Sequence, residues 1–305
     1  MLMKIPMSAT SLTLAFPWFL FAATVFSLGL CHGSFNAGCI ESEREALLQF
    51  KHGLKDPSNR LSSWDRDADC CEWPGVICDN LTNHVLELHL RSLSAVEYYA
   101  SNATGYYYEY WNSSTFRGKI SQSLLNLKHL KYLDLSNNNF EGIHIPKFLG
   151  SMQSLRYLNF SGAGFGGMIP HQLGNLSNLQ YLNLEGYYYY YREIYVENLD
   201  WLSSLSSLEF LDLSYVNLSK ALDWLDAMNK LPTLVELRLS YCSLNHKVPS
   251  NINFSSLAIL DLSGNSFGES SVSSWIFHTP TLTSLDLSSN NFLDQSCSTS
   301  KYNFT

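Results

Sequence analysis

Positive charge is scarce in this sequence. Its 305 residues contain 19 Lys and Arg against 27 Asp and Glu, a formal net charge of −8. Proteins that bind nucleic acids or anionic membrane surfaces depend on basic patches that attract phosphate groups. The composition therefore disfavours both partners, and we expect no nucleic acid to bind. With 46% hydrophobic residues, the chain can still bury a sizeable core.

Long hydrophobic runs are missing after the first thirty residues. The apolar stretch AFPWFLFAATVFSLGL follows Lys4 and precedes the small residues CHGSFNAG. This order predicts a secretory signal peptide at residues 1–33, with a mature chain beginning near Ser34. An uncleaved anchor is the alternative, although the stretch is short for a membrane-spanning helix. We expect a protein of the secretory pathway with no transmembrane helix beyond the signal peptide.

Catalytic motifs are also missing. The chain lacks V-A-I-K, H-R-D, D-F-G, HExxH and GxSxG. Gly162, Gly164 and Gly167 match the GxGxxG pattern of dinucleotide sites, but Pro170 interrupts the helix that would have to hold the phosphates. The carboxylates of DRDADC at 65–70 alternate as in a calcium loop, but Cys70 stands where that loop needs glycine. We predict no enzyme, no cofactor and no metal.

Seven cysteines suit an oxidising compartment. Cys31 lies in the predicted signal, whereas Cys39, Cys70, Cys71 and Cys78 cluster ahead of the periodic region. A bridge between adjacent cysteines is strained, so each of Cys70 and Cys71 should pair elsewhere. We favour Cys39 with Cys70 and Cys71 with Cys78. A zinc site is the alternative, but no His lies at ligand spacing.

Eight Asn-x-Ser/Thr triplets are candidate glycosylation sites. Part of this number arises because the periodic segments are rich in Asn, Leu and Ser. We expect several of them, not all, to carry glycans. The triplets begin at Asn80, Asn102, Asn112, Asn159, Asn175, Asn217, Asn253 and Asn303.

A repeating segment organises the rest of the chain. Seven copies start 25, 24, 29, 26, 23 and 25 residues apart, with apolar residues at relative positions 1, 4 and 6. An eighth copy, VLELHL, starts at Val85 and precedes a long insertion. Such a period is the signature of a leucine-rich repeat. The copies begin LKYLDLSNNNF, LRYLNFSGAGF, LQYLNLEGYYY, LEFLDLSYVNL, LVELRLSYCSL, LAILDLSGNSF and LTSLDLSSNNF.

Each copy predicts one strand of a parallel sheet. Alternation along YLDLS places Leu133 and Leu135 inward and Asp134 outward. At relative position 9, an inward Asn can pair with backbone groups of neighbouring coils that would otherwise be buried without partners. Asn138, Asn265 and Asn290 hold that position. Other coils have Ala163, Tyr187, Val216 and Cys242 there, and we predict Cys242 to be a small core residue rather than a reactive thiol.

The turn after the strand carries a GxIP-like element, seen in GGMIPHQLGNL, which resembles the plant-specific class of extracellular leucine-rich repeats. The segment GCIESEREALLQFKHGLKDPSNRLSSWDRDADCCEWPGVICDN resembles the N-terminal cap of that class, with a helix from Ser42 to about Leu54 and a turn at Trp64. More narrowly, SLLNLKHLKYLDLSNNNFEG, ENLDWLSSLSSLEFLDLSYVNLSKALDWL and LPTLVELRLSYCSL are similar to plant receptor-like proteins of the ethylene-inducing xylanase receptor group.

The resemblance implies an α/β solenoid, a right-handed coil with a parallel sheet on its concave face and a disulfide-linked helical cap. We assign the cap to residues 34–80 and about eight repeats to 81–296, with Tyr-rich insertions near 94–115 and 186–198. Members of the group continue through further coils and a membrane helix. We therefore interpret 297–305 as a truncated tail and the chain as an N-terminal piece or shortened form of such a receptor.

The implied function is a non-catalytic extracellular recognition module of a plant defence receptor. It would bind a microbial or endogenous protein or peptide at the cell surface, and signal through a co-receptor kinase. The alternative is a secreted inhibitor of cell-wall-degrading enzymes, similar to polygalacturonase inhibitors. The expected concave-face residues are His89, Asp134, Asn159, Asn183, Asp212, Arg238, Asp261 and Asp286, with an aromatic row of Tyr132, Tyr157, Tyr181 and Phe210.

The two tyrosine clusters have two interpretations. Tyrosine gives a large contact area at low entropy cost and is favoured in recognition surfaces. Alternatively, each insertion packs on its own coil.

The last coil should expose an apolar edge, which solenoids normally cover with a terminal cap. We therefore expect residues 34–305 alone to aggregate or to be retained during secretion. Size-exclusion chromatography and thermal melting check this expectation, and a monodisperse, cooperatively melting monomer would contradict it.

Overall fold

The computed structural model describes residues 38–101, 103–186, 193–244, 254–268, 279–291 and 301–303. Several sequence predictions lie outside these ranges. They are the signal peptide at 1–33, most of the second tyrosine cluster, Asn102, Asn253 and Cys297.

The cap begins with helix α1, Glu41–Gly53, within one residue of the predicted bounds. Acidic residues occupy its first turn and Lys51 and His52 its last, which favours the helix dipole at both ends. Its apolar side, including Leu47 and Phe50, is fully buried. The next two residues form strand β1, Leu54–Lys55, which pairs antiparallel with β4, Arg117–Gly118.

Two disulfides close the cap. Cys39 pairs with Cys70 and Cys71 pairs with Cys78, as the sequence analysis favoured. Between these bridges, the buried Trp64 and Trp73 rings stack with centroids 5.1 Å apart.

A buried carboxylate ties the cap to the first repeat. Glu43 on α1 accepts hydrogen bonds from Val85 N at 2.7 Å and from His84 Nδ1 at 2.9 Å. Glu43 is only 2% exposed. The first backbone N–H of the strand that begins at Val85 is therefore hydrogen-bonded to a buried carboxylate of the cap.

One sheet of ten strands runs through the described repeats. Strands β3, β5, β6, β8, β10, β11, β12 and β13 pair in parallel with their neighbours, and each pair joins equivalent residues of adjacent coils. The predicted solenoid is thereby confirmed. The strands are β2 Val76–Cys78, β3 Val85–His89, β5 Tyr132–Asp134, β6 Tyr157–Asn159, β8 Tyr181–Asn183, β10 Phe210–Asp212, β11 Glu236–Arg238, β12 Ile259–Asp261, β13 Ser284–Asp286 and β14 Lys301–Asn303.

Both outer strands of this sheet are antiparallel. Strand β2 of the cap pairs with β3, and β14 pairs with β13 through Ser284 opposite Asn303. Residues 301–303 therefore cover the hydrogen-bonding edge of β13.

The core contains a column of leucines, one from each of the eight parallel strands of this sheet. Leu133, Leu158 and Leu182 lie opposite one another in adjacent coils and are fully buried. Burying a leucine side chain stabilises a fold by about 1.5–3 kcal/mol. Each coil is stabilised by its neighbours, because in a lone coil the leucine would be exposed to solvent on both sides.

Inward asparagines join the coils as predicted. Asn265 Nδ2 donates to Leu239 O and Leu262 O at 2.8 and 3.0 Å, and its Oδ1 accepts from Cys242 N and Leu244 N, both at 3.0 Å. Asn138 and Asn290 make corresponding contacts. One amide thus satisfies buried backbone groups of two coils.

Cys242 replaces asparagine in one coil and partly takes over its role. Its Sγ donates to Leu213 O of the preceding coil at 3.1 Å. This carbonyl is equivalent to Leu239 O, which accepts from Asn265 one coil further on. Burial raises the pKa of the Cys242 thiol well above its usual value. A neutral, buried thiol is a poor nucleophile, in agreement with the predicted core role.

The side opposite the sheet is built from short helices. Four 3₁₀ helices, Gln122–Asn126, Lys147–Ser151, His171–Asn175 and Asp200–Ser204, are followed by helix α4, Trp224–Met228. Leu149, Leu173 and Leu176 are buried beneath them as predicted. Gly150 is required here, because a Cβ atom at this position would lie 2.1 Å from Gln172 O in the next coil.

The glycine pattern at 162–167 belongs to the turns. Gly162, Gly164 and Gly167 all have positive φ. They lead into the short strand β7, Gly167–Met168, which pairs with β9, Ile194–Tyr195, in a small lateral sheet. The helix after Pro170 has five residues, so the long phosphate-binding helix of a dinucleotide site does not follow.

Among the described residues, no helix combines the length and apolar character needed to cross a bilayer.

We predict that Asn265→Ala lowers the free energy of unfolding by about 2–4 kcal/mol, because it leaves several buried backbone groups of two coils without partners. Urea denaturation followed by circular dichroism measures this change. Asn126→Ala, which removes an exposed amide from a 3₁₀ helix, is the matched control and should change stability by about 0.5 kcal/mol or less. Equal effects of the two substitutions would contradict the role of the inward amide.

Candidate ligand-binding surface

The exposed face of the sheet presents two rows of side chains. The first residue of four successive strands is aromatic and half-buried, and the last residue is Asp or Asn. Because the strands are parallel and in register, each row runs straight across the coils.

The sequence analysis expected the Asp and Asn row to project from the concave face, and for four of these residues the structure shows otherwise. Asp134, Asn159, Asn183 and Asp212 do not project freely, because each is at most 9% exposed. Each Oδ1 accepts the backbone N–H two residues further on, at 2.9–3.0 Å. These side chains therefore end the strands through local turns, a common use of Asp and Asn.

Further along the same row, Asp261 and Asp286 are partly exposed, although each also accepts the N–H two residues on. Arg238 is exposed and donates from Nε to Glu236 Oε1 at 2.6 Å. Of the predicted polar concave-face residues, Arg238 is exposed, and His89, Asp261 and Asp286 are partly exposed.

The aromatic row forms a continuous stack, which we call the aromatic ladder. Ring centroids are 4.3 Å apart from His89 to Tyr132, 4.0 Å to Tyr157, 4.2 Å to Tyr181 and 4.1 Å to Phe210. Adjacent strands lie about 4.8 Å apart, so the in-register rings from Tyr132 to Phe210 are held at stacking distance. His89 lies opposite Asp134 in the register and stacks diagonally on Tyr132. At the far end, the Arg238 guanidinium lies 5.9 Å from the Phe210 ring centroid, within reach of a cation–π contact.

The phenols of the ladder stay neutral. Burial raises the pKa of Tyr132 and Tyr181, and raises that of Tyr157 to about 12. Asn159 Nδ2 donates to the Tyr157 hydroxyl at 3.2 Å. The ladder therefore combines apolar ring edges with hydroxyl groups that can donate and accept hydrogen bonds.

Two carboxyl groups near the Arg238 end resist ionisation. Burial raises the pKa of Glu185 to about 7, with a further contribution from the negative charge of Asp212. Burial also raises the pKa of Asp212. The charge at this end of the surface therefore changes near neutral pH.

A second aromatic pair, which the sequence analysis did not single out, lies one turn beyond the ladder. The Tyr215 and Tyr241 rings are parallel, with centroids 5.1 Å apart. The Tyr241 ring also covers Gly264, where a Cβ atom would lie 2.6 Å from it. The shared LSY triplets in two successive repeats could have revealed this pair.

The first tyrosine insertion packs largely on itself. It forms helices α2, Ala95–Ala100, and α3, Tyr107–Ser114, and α2 begins with a capping box of Ser94 and Glu97. Tyr98 is buried and stacks on Tyr110 with centroids 4.8 Å apart. This arrangement favours the interpretation that the insertion packs on its own coil, although Tyr106 and Tyr108 remain exposed.

The glycosylation candidates differ in access. Asn80 and Asn175 are exposed. Asn112 is half-buried and accepts from Arg117, and Asn217 donates to Glu193. Asn303 lies in β14. The structure disfavours the predicted glycan at Asn159, because its Nδ2, the atom that would carry the glycan, donates to the Tyr157 hydroxyl on the face of the sheet.

Metal ligands come close together at one point. Within the described ranges, Cys39, Cys70 and Cys71 are the group whose donor atoms lie within 4.8 Å of one another. Their sulfurs belong to disulfides, so they offer no thiolate to an ion.

Comparison with known families and structures agrees with this architecture. Residues 40–79 match the leucine rich repeat N-terminal domain, and residues 112–298 match the leucine-rich repeat region. The structure of PEPR1 with AtPEP1 superposes with a TM-score of 0.60 at 25% identity, covering 83% of this chain and 35% of that one. The Arabidopsis HAESA ectodomain with an IDA peptide hormone gives a TM-score of 0.50 at 26% identity, covering 82% and 45%.

Among curated proteins, receptor-like protein EIX1 of Solanum lycopersicum is 41% identical over 282 residues, which cover 88% of this chain and 25% of that protein. Receptor-like protein EIX2 of the same species is 44% identical over 258 residues, covering 83% and 24%. The chain thus spans about a quarter of the length of these relatives. With its cap, its repeats and these relatives, the chain belongs to the leucine-rich repeat family and is similar to plant receptor-like proteins.

Proposed function

We propose that this chain is the non-catalytic recognition module of a plant cell-surface receptor, and that its aromatic ladder binds a protein or peptide. The observation that supports this proposal most strongly is the unbroken stack from His89 to Phe210, which ends at an exposed Arg238.

Physical chemistry favours a polypeptide on this surface. Aromatic residues and arginine are enriched where proteins bind one another, and Tyr loses little rotamer entropy on binding. The stack fixes the rings before a ligand arrives, which lowers the entropic cost of association. The neutral phenols can also pair with the amide groups of a peptide backbone.

The comparisons add indirect support. Two of the superposed ectodomains were solved in complexes, HAESA with an IDA peptide hormone and PEPR1 with AtPEP1. The resemblance to receptors of pathogen defence suggests a microbial ligand and an extracellular or plasma-membrane location. The similar curated proteins are receptor-like proteins, and we propose that the receptor signals through a partner kinase.

We expect the full chain, expressed in a secretory host, to bind an immobilised microbial xylanase, the ligand class that the name of the similar receptor group suggests. Tyr157→Ala interrupts the ladder and should weaken binding at least about tenfold, as loss of a central aromatic contact does at interfaces. Biolayer interferometry measures the change.

Tyr108→Ala is the matched control, because it removes an exposed tyrosine from the insertion and should leave binding unchanged. Binding that survives Tyr157→Ala would contradict the role of the ladder. The absence of saturable binding would refute xylanase as the ligand class, and inhibition of a polygalacturonase by the chain would favour the inhibitor function instead.

The charge at one end of this surface makes the protein sensitive to pH. The pKa of Glu185 is about 7 in the folded chain and lies near its ordinary value of 4.5 when unfolded. The folded state therefore holds this proton more tightly. The stabilisation is present below pH 4.5 and is lost as pH rises through 7.

We predict that Glu185→Gln removes part of the stability difference between pH 5 and pH 8. The full effect of this carboxyl is about 1–3 kcal/mol, because one pKa unit corresponds to about 1.4 kcal/mol. Urea denaturation of both proteins at the two pH values measures it. Glu209→Gln, at an exposed position in the next coil, should keep the pH dependence of the unsubstituted chain. An unchanged pH dependence in Glu185→Gln would rule out this assignment.

A further inference from the structure

An open cavity lies on the flank of the repeats, away from the residues of the aromatic ladder. Its volume is about 630 Å³, and it is bordered by the segments around Lys119, residues 143–147, strand β7 and the 3₁₀ helix that starts at His171. Cavities of this size commonly hold small molecules. Its apolar wall includes Ile120, Ile145 and Pro170.

The cavity arises from a one-residue difference between two coils. Six positions separate Phe140 from Pro146, whereas five separate Phe165 from Pro170. Glu141 and Gly142 absorb the extra residue by adopting positive φ values of 55° and 72°. The longer turn departs from its neighbour after the hydrogen bond from Gly166 N to Ile143 O, at 3.0 Å.

This departure leaves one edge of strand β7 uncovered. Gly167 N and Ile169 N both donate toward β9, to Glu193 O and Tyr195 O at 2.9 Å. Backbone groups alternate in direction along a strand, so the N–H and C=O of Met168 face the other way, toward the cavity that Met168 lines. A hydrogen-bonding peptide edge is thus available to a ligand.

The ionisable side chains of the cavity wall are all basic. Lys119, Lys147, His144 and His171 line it, and no Asp or Glu does. Neither lysine forms an ion pair with any acid in the described ranges. In a chain with a net charge of −8, a wall with two unpaired ammonium groups and two imidazoles is a local exception.

Gly167 lies directly beneath one of these imidazoles. A Cβ atom there would lie 2.5 Å from His144 Nε2, so any other residue would displace the ring from its position against β7. The same residue therefore allows the turn and the imidazole wall.

We propose that this cavity binds a small organic anion with an apolar body, such as an aromatic or medium-chain aliphatic carboxylate. The lysines supply the compensating charge, the Met168 N–H supplies a directional donor, and the isoleucine and proline wall takes the apolar body. The ligand would occupy the flank of the coils and leave the aromatic ladder free.

The test uses 8-anilinonaphthalene-1-sulfonate, an anion with an aromatic body, on the full chain expressed in a secretory host. Fluorescence titration and calorimetry should show one saturable site whose affinity falls as salt is raised. Lys119→Gln combined with Lys147→Gln should weaken binding at least tenfold. Lys128→Gln combined with Lys131→Gln removes the same charge from exposed positions elsewhere and should leave binding unchanged.

A matched ligand provides the second arm. N-phenyl-1-naphthylamine has the same aromatic body without the sulfonate, and it should bind at least tenfold more weakly. Equal binding of the neutral compound, equal effects of the two lysine pairs, or several unsaturable sites would each overturn the proposal. Unchanged circular dichroism melting curves establish that the variants remain folded.

Discussion

Register between neighbouring coils is the constraint on which this structure depends. Leu133 lies opposite Leu158, which lies opposite Leu182, and each is buried only because the next coil covers it. A slip of one residue would turn every leucine of a strand toward solvent, since side chains alternate between the two faces. The inward amides fix the same register from the turn, because Asn265 bonds to backbone groups of two coils at once.

The same register creates the aromatic ladder. Once the central leucines are aligned, the residues before them are aligned as well, and Tyr157 is held 4.0 Å from Tyr132 and 4.2 Å from Tyr181. The residues after the leucines have a different task. Asp134 and Asp212 bend back to the backbone and end their strands, so these acids support the surface more than they present charge on it.

Two coils depart from the repeat pattern, and each departure changes the structure locally. Cys242 stands in an asparagine position and still reaches the carbonyl of the neighbouring coil through its thiol. The extra residue between Phe140 and Pro146 opens a basic cavity on the flank. Both changes are tolerated because the leucine column carries most of the stabilisation, which leaves the turns free to vary.

The sequence by itself determined the repeating strand, the buried leucines and the inward amides, because a regular period fixes each of these. It favoured the observed pairing of the four cap cysteines, and the resemblance to the plant-type cap supplied the cap helix. It also placed Tyr157 and Phe210 in one row. Only the tertiary structure decided which residues of the sheet are exposed, since whether Asn159 projects or folds back depends on its turn and on the tyrosine beside it. The raised pKa of Glu185 and the flank cavity could not be predicted from the sequence either, because the residues that bury them or place charge near them come from other coils.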